Sequence, residues 1–213
     1  LERIIYSIYC RRRFIESKYH FVVDNILTLE MSKFASWNLL GNFSYVCYTQ
    51  GLNRLLNVFF NPAVNAARGL AVQIQSAITN FSYNIENAIK PQITKTYAQR
   101  DFVRMHALIS VSARISYYTL LLISLPVLLE ANQILNIWLK EVPDHAVNFV
   151  RLTVIVLWVE SLSNPLLIAT QATGNIKKYQ FYVSVLCVLI LPLSYIALMF
   201  YSQPEVVYFV TML

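Results

Sequence analysis

The stretch NPAVNAARGLAVQIQSAITNF, Asn61 to Phe81, sets an arginine, two glutamines and three asparagines inside an otherwise apolar run. Residues of these types recognise anions and sugar hydroxyls: a guanidinium offers forked donors that match a phosphate, and an amide both donates and accepts. On a helix, Gly69, Gln73, Ser76, Asn80, Asn84 and Asn87 recur at steps of three and four, with Arg68, Gln75, Thr79 and Glu86 widening that face on one flank. Opposite them run Leu70, Ile74, Ala77, Ile78, Phe81, Ile85 and Ile89, a face suited to lipid or core. An earlier segment repeats the pattern, with Gln50, Arg54, Asn57 and Asn61 on one stripe and Asn53 beside it, and a later one offers Thr153, Glu160, Asn164 and Gln171. A charged side chain at mid-bilayer costs about 2.5–3.5 kcal/mol, so it faces a bundle interior or a water-filled cavity. Asparagine and glutamine also join membrane helices by hydrogen bonds, but one or two positions per helix suffice for that. The breadth of the face around Arg68 therefore predicts a shared polar cavity. Its candidate substrate contacts are Arg54, Arg68, Gln50, Asn57, Gln73, Asn80, Asn84, Glu86, Glu160 and Asn164.

Other chemistries find less support. Cys10, Cys47 and Cys187 are scattered without C-x-x-C spacing, and His20, His106 and His145 lie far apart, so neither a disulfide framework nor a metal site is expected. With four glycines and no phosphate-cradling glycine pattern, nucleotide binding is unsupported, and no cofactor is expected. A membrane enzyme would need an acid, base or nucleophile set on an external loop. The longest such loop, residues 130–145, offers Glu130, Glu141, Asp144 and His145, which reads as a solvated loop and leaves no catalytic residue.

The elements that must position these residues follow from composition. The chain is 57% hydrophobic and 13% charged, against roughly 25% charged in a soluble domain. Its apolar residues come in blocks of the ~20 residues needed to cross a bilayer as a helix. Spans are expected at about 34–60, 63–89, 107–129, 146–172 and 179–201, with a sixth opening near 205 and the end of a preceding helix at LERIIYSIYCRRRF. The predicted fold is thus an all-α, polytopic transmembrane helix bundle over 34–213, preceded by a cytoplasmic connection over 1–33. Lysine and arginine accumulate on cytoplasmic connections. Twelve of the 17 basic residues fall before the first span, between the second and third, or between the fourth and fifth, whereas the opposite connections hold only Lys140. The net charge of +6 is thereby a topology signal and not a nucleic-acid footprint, which would need those charges on one folded face. Pro126, Pro165 and Pro192 fall inside spans and predict kinks, which membrane helices tolerate.

GLNRLLNVFFNPAVNAARGLAVQIQSAITNF, then NAIKPQITKTYAQRD and later ATQATGNIKKYQ, resemble the polysaccharide or O-antigen flippases, lipopolysaccharide biosynthesis membrane proteins of the multidrug/oligosaccharidyl-lipid/polysaccharide exporter superfamily. The similarity runs along the chain and is most specific over 51–101, although Asn61-Pro62 stands where Gly-Pro is expected. The resemblance implies the second of two related six-helix lobes around a central cavity. It implies a transporter that flips an undecaprenyl-pyrophosphate-linked oligosaccharide across the bacterial inner membrane by alternating access, in contact with membrane lipid and other polysaccharide-assembly proteins. Arg54 and Arg68 would hold the pyrophosphate, and Pro91, Lys95 and Asp101 would belong to a cytoplasmic gate. The alternative is a cation-coupled multidrug antiporter of the same superfamily, working through Glu86 and Glu160.

Overall fold

The computed structural model describes Tyr6, Tyr9, Cys10, Arg13, residues 24–201 and residues 203–212; the helix end expected at the start of the chain falls mostly outside them. The described residues form an all-helical bundle: α1 (Asn25–Phe59), α2 (Pro62–Ala98), α3 (Phe102–Leu129), α4 (Ala131–Trp138), α5 (Ala146–Ala172), α6 (Lys177–Phe200) and α7 (Val206–Thr211).

Local chemistry sets the helix ends. Asp24 starts α1 ahead of the expected 34, its Oδ1 accepting from the backbone N–H of Ile26 at 2.9 Å and of Leu27 at 3.2 Å. Pro62 opens α2 at the position where a missing N–H costs nothing. Asp101 caps α3 by accepting from the Arg104 N–H at 3.0 Å. Two expectations need correction. First, α2 does not end near 89 but runs through Pro91 to Ala98, because Ile93 beyond the proline is buried with Met105, Ile109 and Ile168 and that burial carries the helix on. Second, the external loop contains α4, whose Ala131 and Leu135 are buried against Ala67, Ala71, Ala146, Phe149 and Val150.

The helices divide into two groups. α2, α3 and α5 pack closely on one another around three stacked clusters, centred on Phe149, on Leu157 and Ile78, and on Ile93. α1 pairs with α6, and α7 joins them around Leu52, Leu56, Leu198 and Val207. Contact between α1 and α2 is sparse, which leaves a groove between the groups. Serine and tryptophan supply polar ties inside the α2–α3–α5 group: Ser82 Oγ donates to the Ser116 carbonyl at 3.4 Å, and Trp158 Nε1 donates to Ser124 Oγ at 2.7 Å.

Three helices, α3, α5 and α6, are long and apolar enough to cross a membrane, and only 17% of the most apolar window of α6 is buried. Leu186, Leu189, Leu193 and Ile196 of α6 stand exposed together with Val111, Ile115 and Leu122 of α3, surface that lipid and not water must cover. The protein is therefore a membrane protein. α1 and α2 have the length of spans but carry the polar residues that lower their hydropathy. Lys33, Lys90 and Lys177 gather at one end of the bundle, where pockets join the start of α1, the end of α2 and the α5–α6 turn. His145, Gln203 and Glu205 gather at the other.

Gly51 holds α1 close to α6: a Cβ there would come within 2.5 Å of Leu191 Cδ2 and 2.9 Å of its Cδ1. Gly51→Val should overpack this seam and cost about 1–3 kcal/mol, read as a lowered unfolding midpoint of the purified protein in detergent. An unchanged midpoint would show that the seam is loose.

Candidate functional site

The groove widens into a cavity of about 410 Å³ walled by all four of its neighbours. α1 contributes Tyr45, Tyr48, Gln50 and Asn53, α2 contributes Arg68 and Gln75, α5 contributes Thr153 and Glu160, and α7 contributes Tyr208 and Thr211. Arg68 is 9% exposed, and its Nη1 donates to Asn53 Oδ1. The Tyr208 hydroxyl lies beside the guanidinium, and the Tyr208 ring packs on Phe149 with centroids 5.3 Å apart. Among the described residues the ion pair present is His145–Glu205, so the guanidinium charge meets no carboxylate at ion-pair distance. The result is a buried cation held by amide and phenol groups at the wall of a cavity.

A smaller cavity of about 70 Å³ adjoins it, lined by Thr79, Ser82, Glu86, Glu160, Ser161 and Asn164. Glu86 is 7% exposed, and its Oε1 has no hydrogen-bond partner. Glu160 lines both cavities. At the basic end of the groove, Asn38, Lys90, Thr94 and Gln171 line a further pocket of about 560 Å³.

Along α2 these cavities are faced by Arg68, Val72, Gln75, Thr79, Ser82, Glu86 and Lys90, at steps of three and four. This stripe is turned by one residue, ~100° of helix, from the polar face read in the sequence. Gln73, Asn80 and Asn84 stand exposed on the adjoining face and line none of these three cavities. Arg54 and Asn57 are likewise exposed outside them, whereas Gln50, Arg68, Glu86, Glu160 and Asn164 face them. Phe81, expected on the apolar face against core or lipid, is 55% exposed. Of the gate residues, Pro91 lies within α2, Lys95 lies in its last turn and Asp101 is the cap of α3; it is Lys90 and Thr94 that reach the groove. Sequence reading passed over Tyr45, Tyr48 and Tyr208 as apolar. For Tyr45 and Tyr48, their spacing with Leu52 at steps of three and four on α1 was the available signal. Among the described residues no group of three or more histidine, cysteine or acidic side chains could hold a metal ion.

The far end of the groove is fastened by Glu205, whose Oε1 meets His145 Nδ1 at 2.7 Å and accepts from Asn148 Nδ2 at 3.1 Å. Partial burial pushes the Glu205 carboxyl up, but the hydrogen bonds from His145 and Asn148 outweigh it and hold it below the usual carboxylate range. A carboxylate lowered on folding stabilises above its unfolded value and loses that contribution as pH falls through the folded one. The tie between α5 and the turn before α7 should thus weaken in acid. Protease cleavage near Gln203 should quicken as pH drops below the ordinary carboxylate range, and Glu205→Ala should show that fast cleavage at neutral pH. Cleavage of the variant at the native rate would show that the tie does not hold the turn.

No known protein family, curated protein or solved structure matches the chain.

Proposed function

We propose that the chain forms one half of a flippase that moves a lipid-linked oligosaccharide, joined through pyrophosphate to an undecaprenyl carrier, across the bacterial inner membrane by alternating access. The observation that carries this reading is Arg68, a buried cation on the wall of a 410 Å³ cavity with no carboxylate at ion-pair distance among the described residues. A cation inside a membrane protein is costly unless it serves a pathway or finds a counter-charge, and a phosphate supplies that charge with geometry matched to the guanidinium. Amides and phenols around it, from Gln50, Asn53, Gln75, Tyr48 and Tyr208, suit the hydroxyls and faces of sugars. The exposed polar stripe of Gln73, Asn80 and Asn84 suits a water-filled passage shared with a second, facing lobe. In this reading α1 and α2 cross the bilayer with α3, α5 and α6, with Lys90 and Lys177 toward the cytoplasm.

The buried Glu86 and the cavity-lining Glu160 favour a second reading, the cation-coupled drug antiporter. Removing the gene separates the two. A flippase predicts that lipid-linked oligosaccharide accumulates on the cytoplasmic leaflet with unchanged drug susceptibility; heightened drug susceptibility with normal glycan export would reverse the choice.

A further inference from the structure

We propose that the pocket between the start of α1 and the α5–α6 turn binds an anionic phospholipid of the surrounding bilayer, whose phosphate rests on Lys33 and Lys177 and whose apolar part lies against α1. The pocket holds about 730 Å³, within the range of sites that take small molecules. Along the first turns of α1, Leu27, Met31 and Phe34 recur at steps of four and three, and Glu30, Lys33 and Trp37 recur at steps of three and four beside them. The first stripe is apolar and exposed, by 55% at Leu27 and 64% at Met31, and such surface is unfavourable in water. The second stripe carries the charge. From the opposite wall Lys177, the first residue of α6, sets its ammonium 5.7 Å from the centre of the Trp37 ring, within cation–π reach.

Two lysines against Glu30 leave the lining with a surplus of one positive charge, and none of the three belongs to an ion pair among the described residues. A single phosphodiester cancels that surplus, whereas a zwitterionic headgroup leaves it unchanged. The pocket sits at the foot of α6, whose exposed apolar side chains lipid must cover. It therefore lies at headgroup level, where tryptophan and lysine collect and where basic pockets between membrane helices take anionic lipids. An apolar wall with lysines beside it fits an amphiphile; a free anion has nothing to lay on Leu27 and Met31. The pocket shares no lining residue with the cavity around Arg68, so this inference does not depend on what Arg68 binds.

The test is the fluorescence of Trp37 in the full-length protein, reconstituted into mixed bilayers of phosphatidylcholine and phosphatidylglycerol in which one lipid or the other carries brominated chains that quench tryptophan on contact. The Trp37 signal is the difference between the native protein and Trp37→Phe. Phosphatidylglycerol should be preferred at Trp37 by about 25-fold in relative affinity, at about fivefold for each lysine. Lys33→Gln and Lys177→Gln, both at exposed positions, should each lose about fivefold, and the double variant should lose the whole preference. Equal quenching by the two lipids in the native protein would overturn the proposal, as would an undiminished preference in the double variant. If soluble glycerol phosphate abolishes the preference, the lysines hold a free anion and the lipid site is wrong. If neither lipid quenches Trp37, protein covers the pocket and the lipid site is equally wrong.

Discussion

Replacing Arg68 with alanine is expected to reduce export of lipid-linked oligosaccharide by about ten- to a hundredfold. The magnitude follows from losing one charge-assisted hydrogen bond, worth about 1.5–3 kcal/mol, at about 1.4 kcal/mol per factor of ten. Arg68→Lys keeps the charge but loses the fork, and the amine cannot reach Asn53 and a phosphate in the guanidinium's fixed geometry, so recovery should be partial. Export is to be normalised to the amount of protein in the membrane, because removing a buried charge can also raise expression. Arg54→Ala should have a small effect, since Arg54 stands exposed outside the cavity. Equal losses at both arginines would return Arg54 to the site.

A second large effect concerns which face of α2 meets water. In a background lacking Cys10, Cys47 and Cys187, single cysteines at Gln75 and Thr79 should react with a small water-soluble thiol reagent far faster than one at Ile78, which is 3% exposed in the α2–α3–α5 core. The helix period separates neighbouring positions by ~100° and so makes the contrast sharp. Gln73 and Asn80 should also react, through the exposed stripe. Uniform protection of all four polar positions would mean that they bond to other helices and that no aqueous groove exists.

How much of this was legible beforehand differs from element to element. The span 146–172 coincides with α5, because an apolar run between Pro143 and Gly174 has one way to be a helix. Thr153, Glu160, Asn164 and Gln171 all face the groove, since polarity on an otherwise apolar helix has few other places to go. α2 was harder. Its lining stripe includes Val72, and its exposed neighbour is rich in asparagine, so polarity alone set the axis one residue away from the groove. The extension past Pro91 was invisible locally because Ile93 finds its partners on α3 and α5, distant in sequence. The tyrosines were missed because their rings count as apolar while their hydroxyls do the polar work.

The central claim is that the cavity around Arg68 receives the lipid-linked anion. It is tested most directly by the reaction rate of a cysteine at Gln75, one helical turn from Val72 on the cavity wall, with and without the pyrophosphate-linked oligosaccharide. The account predicts fast labelling that the substrate slows several-fold, with the slowing lost when Arg68 is also replaced by alanine. Labelling at the same rate with and without substrate, in protein that still exports, would contradict it.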